Sequence, residues 1–292
     1  MRCFATPLLQ GLAWCLGRLP QGAMLMLGRT LAWLAWPLLG SRRRVARINV
    51  DLCFPGMEPR ARRRLADASV VNTVIGALEL VRAWHIPASR LDGMAEVTGL
   101  EHLRAALATG QGVLLVTGHF TCSELAGRLL GHALGRPIRV VVRRHNNACL
   151  EAWFDRSREA VYGPTIGKKD VRGLIRALQA GEPVAYSADQ NFNYQSAFVP
   201  FFGVPAATLS ATPEIMRRGR ALMLPFWFHR GADGRYRIRI EAAWEGWPTG
   251  DPHEDAARYM RELEKVVLEC PEQYLWAHRR FKTRPPGHPP VY

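Results

Sequence analysis

Between Glu101 and Ser187 the chain alternates stretches of helical spacing with short apolar runs, and this alternation constrains the fold more than any other feature. Glu101–Thr109 has helical spacing, and Val113–Thr117 is an apolar run of strand length. Leu125–Leu134 is helical again, and Ile138–Val142 is a second strand. Asn147–Tyr162 and Val171–Ala180 are helices before a third strand at Val184–Ser187. Strands separated by helices point to an α/β sheet flanked by helices. Leu222–His229 and Arg235–Glu241 read as a later strand pair around Gly231-Ala-Asp-Gly234, which makes the predicted sheet mixed. Long helices are expected at Glu58–Trp84 and Glu254–Glu269. With 292 residues, 48% of them apolar, the chain can bury one large core, and no composition break follows residue 90.

The first strand ends at Gly118, and His119 follows before Thr121 or Ser123 caps the next helix. His119 and Glu124 lie five positions apart, about 140° around a straight helix, so they meet only if the backbone turns between them. Such a pair suits proton abstraction from a hydroxyl: imidazole titrates near neutrality, and a carboxylate fixes its tautomer. The alternative is a structural histidine beside a helix-capping glutamate. Arg143 and Arg144 follow the second strand and Asp189 the third, at strand ends where crevices of open α/β sheets gather. Cys122, between His119 and Glu124, reads as a small buried hydrophobe.

Lys plus Arg number 39 against 25 Asp plus Glu, a net charge of +14, so an acidic partner is expected. Nucleic acid, an anionic membrane, a phosphorylated lipid and an acidic carrier protein all fit that charge. No nucleic-acid motif or aromatic stacking array is present, which disfavours the first. Six cysteines without any Cys-x-x-Cys argue against a disulfide framework or a zinc site, and no His/Cys/carboxylate cluster has ligand spacing, so no metal is expected.

Leu8–Leu39 is rich in Leu, Ala, Met and Trp but is interrupted by Arg18, Pro20 and Arg29. Its uncharged stretches fall short of the roughly 18 residues of a spanning helix. Residues 1–40 are therefore read as one tilted or kinked membrane anchor or two interfacial helices, with a buried helical hairpin as the alternative. Residues 41–292 are assigned to the catalytic domain. The basic run Arg42–Arg47 is of the kind held on the cytoplasmic side of a membrane and drawn to anionic headgroups.

Several motifs occur in order along the chain: Asp51-Leu-Cys-Phe-Pro55, Gly118-His-Phe120, Lys169-Asp-Val-Arg-Gly173, Asp189-Gln190, Phe198-Val-Pro-Phe-Phe202 and Pro271 through Pro285. In these the chain resembles the lipid A late acyltransferases, within the glycerolipid and lysophospholipid acyltransferase superfamily and its His-x4-Asp/Glu signature. The resemblance implies transfer of an acyl group from acyl carrier protein to a lipid A precursor, a phosphorylated glycolipid, with no cofactor. It implies His119 as base and Glu124 as its orienting carboxylate. It places the catalytic-region arginine at Arg143, or Arg144 if the register slips by one, and an acid at Asp189. Arg's donor fork suits phosphate or a developing oxyanion; a carboxylate at Asp189 would orient that arginine, and a surface ion pair is the alternative for each. Phe201 and Phe202, in a stiff apolar loop, read as acyl-chain wall or ordinary core. Arg279 and Arg280, in the C-terminal basic cluster, are expected near the lipid headgroup. Alternative functions are acylation of another lipid and non-catalytic binding of a membrane surface or nucleic acid.

Overall fold

The computed structural model describes residues 6–292. Among the described residues, seven strands form a mixed sheet. In chain order these are β1 (Ala95–Thr98), β2 (Val113–Thr117), β3 (Arg139–Val142), β4 (Ile166–Gly167), β5 (Pro183–Ser187), β8 (Leu222–Arg230) and β9 (Tyr236–Ile240), arranged β1-β9-β8-β2-β5-β3-β4. Between β5 and β8 in the chain, β6 (Ser196–Phe201) and β7 (Val204–Leu209) pair with each other as a separate antiparallel hairpin. Within the large sheet only β8 and β9 run antiparallel.

All five residues of β2 are buried, because β5 and β8 both pair with it in parallel and helices cover the sheet. A strand covered on both faces reads as an unbroken apolar run, and Val113-Leu-Leu-Val does. The covering helices are α5 (Leu100–Ala108), α6 (Ser123–Leu134), α7 (Ala148–Tyr162), α8 (Val171–Gln179), α9 (Thr212–Gly219) and α10 (Pro252–Glu269), preceded in the chain by α4 (Pro59–His85).

Two local expectations are corrected. The segment read as a loop around Phe201 is the β6–β7 hairpin, whose two-residue turn Phe202-Gly203 has φ of +49° and +77°. Positive φ at both positions matches the twist of a hairpin, and the Glu264 carboxylate accepts the Phe202 N–H at 2.6 Å, holding the turn in place. The helix after His119 starts without a side-chain cap: Cys122 occupies the cap position, and the Thr121 N–H donates to the Gln273 carbonyl at 2.9 Å.

The N-terminal segment forms α1 (Thr6–Arg18), α2 (Gln21–Leu34) and α3 (Gly40–Cys53), all packed on α4. Among the described residues no single helix is long and apolar enough to cross a membrane. Pro20 separates α1 from α2, and the stretches Gln21–Leu34 and Trp36–Cys53 meet at a 73° bend. On α1 and α2 the side chains of Leu12, Trp14, Met26 and Leu34 are exposed, with Trp33 74% accessible, and Leu38 in the turn after α2 is 87% accessible. Cys15, Cys53, Cys122 and Cys270 carry free thiols, whereas Cys149 is disulfide-bonded, a pairing that the cysteine spacing does not reveal.

Candidate active site

The pairing of β2 with β5 sets Thr117 opposite Ser187. Carried two residues past the strand ends, the same register brings His119 opposite Asp189. The Asp189 carboxylate accepts the His119 backbone N–H at 3.0 Å through one oxygen and lies 2.5 Å from the ring Nδ1 through the other. A carboxylate only accepts, so in the neutral imidazole the proton sits on Nδ1 and Nε2 keeps its lone pair. The His119 side chain is one-third exposed, while Asp189 is 1% exposed. Burial alone would raise the Asp189 carboxyl. The His119 charge, the ring and backbone hydrogen bonds and the Tyr274 hydroxyl, donating at 2.9 Å, outweigh burial and hold it well below the usual carboxylate range.

The C-terminal segment closes the other side of this pair. Phe120 bridges to Tyr274, and the Leu275 N–H donates to the His119 carbonyl at 3.0 Å. Asn49 of α3, fully buried, donates through its amide to the carbonyls of Trp276 and His278, both at 2.7 Å, pinning the segment from below. Arg280 is 2% exposed and donates to the Ala207 carbonyl at 2.8 Å, the Gln190 carbonyl at 3.3 Å and the Thr208 hydroxyl, tying β7 to the loop after Asp189. His119, Asp189, Asn49, Tyr274, His278 and Arg280 thus border one narrow crevice. Gly76 on α4 lets this loop approach: a Cβ there would stand 2.4 Å from the Thr121 carbonyl oxygen.

Other expected residues lie elsewhere. Glu124 makes no hydrogen bond or ion pair with His119. The first turn of α6 points it at Arg158 of α7, whose Nε and Nη2 donate to one carboxylate oxygen at 2.9 and 2.7 Å, and Trp84 of α4 donates to the other at 3.2 Å. Arg143 and Arg144 stand exposed in the loop after β3 and do not border the crevice. Strand β3 pairs with β5 only at its start, Arg139 opposite Val184 and Val140 opposite Ala185, and its last two residues pair with β4. Phe201 is fully buried in an aromatic cluster with Phe202, Tyr274, Trp276 and Phe281, which makes it core beneath the crevice. Arg279 is exposed, its guanidinium 5.8 Å from the Tyr292 ring. Cys122 is fully buried, and burial pushes its thiol well above the ordinary value, as expected of a packed hydrophobe. The arginines of β9 are engaged as a solvated sheet face: Arg237 with Asp233 and Glu96, Arg239 with Glu241 and Glu269.

Sequence reasoning does not single out Asn49, Tyr274, His278, Arg158 or Trp84. Tyr274 and His278 lie within the C-terminal motif, which is the available signal. Nothing local marks Asn49, whose role depends on a partner 227 residues away.

An imidazole open to solvent and backed by a buried carboxylate, at the carboxyl ends of parallel strands, defines an α/β protein equipped to take a proton from a bound group. Residues 2–283 match the family described as bacterial lipid A biosynthesis acyltransferase. The chain is 36% identical to the lipid A biosynthesis palmitoleoyltransferase of Escherichia coli (strain K12) over 97% of this chain and 92% of that protein. It is 35% identical to the lauroyltransferase of the same organism over the same shares, and 26% identical to its myristoyltransferase over 85% and 77%. The chain belongs to the bacterial lipid A biosynthesis acyltransferase family.

Proposed function

We propose that this protein moves a fatty acyl group from the thioester of an acyl carrier protein to a hydroxyl on a lipid A precursor, with His119 as general base and Asp189 as its orienting carboxylate. The observation that carries this reading is the double hold of Asp189 on His119, which leaves Nε2 as the basic nitrogen facing the crevice. In the reaction Nε2 takes the proton of the attacking hydroxyl as its oxygen bonds to the thioester carbonyl carbon. Collapse of the tetrahedral intermediate expels the thiolate, which takes that proton back. Asp189 stabilises the imidazolium formed in between. Glu124 keeps α6 docked on α4 and α7 so that the His119 corner stays in place, and Arg280 rather than Arg143 puts fixed positive charge near the crevice.

The net charge of +14 favours a donor carried on an acidic protein and a phosphorylated acceptor. The exposed apolar side chains of α1 and α2, with Arg18 over the exposed Trp14 ring and Arg43 over Trp36 in the basic run Arg42–Arg44, fit a protein that lies in the cytoplasmic interface of the inner membrane, where its acceptor resides. Residues 1–40 supply this anchor and residues 41–292 the catalytic unit; residues 1–5 lie outside the described part of the chain.

Mass spectrometry of lipid A from cells with and without this gene tests the reading. One acyl chain should be missing without the gene and restored by the wild type but not by His119→Ala. Lipid A that is identical in both strains would move the acceptor to another lipid.

A further inference from the structure

The mechanism above leaves one titratable group of the crevice unused. His278 borders the same crevice as His119, and its Nε2 accepts the Asn191 backbone N–H at 3.3 Å. An N–H donor at Nε2 fixes the neutral tautomer with its proton on Nδ1. Among the described residues Nδ1 has no protein partner, and it is not enclosed, so a polarised N–H is presented to whatever occupies the crevice.

The backbone on both sides of this ring is fixed. Asn49 and the Arg280 N–H both donate to the His278 carbonyl, at 2.7 and 2.8 Å, and the His278 N–H donates to the Leu275 carbonyl at 3.1 Å. Asn191, whose backbone N–H the ring accepts, is itself tied to Thr283 through its side chain: the amide Nδ2 donates to the Thr283 hydroxyl at 2.9 Å and Oδ1 accepts the Thr283 N–H at 2.8 Å. The ring also stays neutral. Burial and the neighbouring His119 charge, with smaller contributions from Arg280 and Arg42, outweigh the pull of Asp189 and bring it down to about 4. A neutral N–H donor, held rigidly and not titrating at physiological pH, is what a developing oxyanion needs.

We propose that His278 is a second catalytic residue, whose Nδ1–H donates to the thioester carbonyl oxygen as that oxygen takes up negative charge. The assignment rests on the acyl-transfer reading above. As the hydroxyl oxygen attacks the carbonyl carbon and its proton passes to His119 Nε2, the carbonyl π pair moves onto oxygen and accepts the Nδ1–H bond. The pair returns when the thiolate leaves, and His278 gains and loses no proton. One histidine thus serves as the base and the other as the donor.

Two near-isosteric substitutions separate this role from a structural one. The amide of His278→Gln reaches the position of Nε2 and keeps an acceptor for Asn191, but nothing replaces Nδ1–H. The amide of His278→Asn reaches the position of Nδ1 and keeps the crevice donor, but loses the contact to Asn191. With lauroyl-loaded acyl carrier protein and a lipid A precursor bearing free 3-hydroxyacyl chains, purified full-length His278→Gln should lose about 100-fold in kcat, with KM within about threefold and Tm unchanged. His278→Asn should recover at least about tenfold of that loss despite a lower Tm. The opposite order, or a His278→Gln enzyme as fast as wild type, overturns the assignment. If both variants are equally slow or fail to fold, the tautomer of His278 in the wild-type enzyme decides: long-range proton–nitrogen NMR correlations showing Nδ1–H support the donor, and Nε2–H overturns it. A wild-type enzyme that transfers no acyl group brings down the acyl-transfer reading and this assignment together. An active wild type with an equally active His278→Gln removes only the assignment.

Discussion

Two carboxylates lie within reach of the loop that carries His119, and their surroundings differ in one decisive respect. Glu124 meets partners that are themselves enclosed: Arg158 is 7% exposed, and Trp84 and the α4–α7 contact cover the rest. Asp189 is more deeply buried, yet its main partner, the His119 ring, is one-third exposed and opens to a crevice. A carboxylate saturated by permanently charged and neutral fixed donors stabilises a fold. One spent on a titratable ring whose far nitrogen faces solvent can change the chemistry of that ring. Proximity in sequence therefore points to the partner of His119 less well than the register of two parallel strands does.

The largest effect should follow from Asp189→Asn. The amide fits the space but offers an N–H where the carboxylate accepted, so the imidazole is driven towards the wrong tautomer and Nε2 loses its lone pair. Turnover should fall roughly 10³- to 10⁴-fold, measured as acyl transfer by the purified enzyme. The same variant has a stability signature. Because the folded carboxyl is held below its ordinary 3.8, the wild type draws stability from it above that pH and loses it as the pH falls further. Asp189→Asn should lack this portion of the acid-unfolding slope. Near-wild-type turnover in folded Asp189→Asn would dissolve the contrast between the two carboxylates.

Much of this site is legible in the sequence, for identifiable reasons. Val113–Thr117 is readable as a strand because burial on both faces leaves a continuous apolar run, and Gly118 marks its end. His119 and Asp189 are both visible as residues beyond strand ends. Which strands adjoin is not visible. Pairing β2 with β5 passes over β3 and β4, and no local pattern encodes that order. For the same reason the guanidinium beside the site is expected at Arg143 and found at Arg280. The β6–β7 hairpin escapes a sequence reading because Phe202 adopts positive φ, which its type does not advertise; Glu264, 62 residues on, stabilises the turn. The interruption at Arg18 and Pro20 does foretell the break between α1 and α2, whereas Arg29 lies inside α2.

A second way to sharpen the comparison is Glu124→Gln. It leaves the Arg158 guanidinium buried beside a neutral amide, and breaking a buried pair on one side costs about 3 kcal/mol. Thermal unfolding should shift down more than in Asp189→Asn, while kcat per folded molecule falls less. A Glu124→Gln protein of unchanged stability whose turnover drops as far as that of Asp189→Asn would show that the Glu124 carboxylate acts in the reaction.

The smallest effect is expected at Arg143, where the family resemblance places the catalytic-region arginine, and at Arg144, its alternative if the register slips by one. Arg143 and Arg144 are exposed beyond β3, whose pairing with β5 stops before its end, and neither borders the crevice of His119 and Asp189. Substitution of exposed residues outside packed networks usually changes free energies by less than about 0.5 kcal/mol. Arg143→Ala and Arg144→Ala should therefore each keep kcat within about threefold of wild type, in the assay used for Asp189→Asn. The buried guanidinium of Arg280 supplies the control: Arg280→Met removes donors to Ala207, Gln190 and Thr208 and should damage both stability and rate. If Arg143→Ala instead lost 100-fold in kcat with its KM unchanged, the loop after β3 would have to fold over the crevice when substrate binds. The positive charge in the reaction would then be delivered by a moving loop instead of by the fixed C-terminal segment.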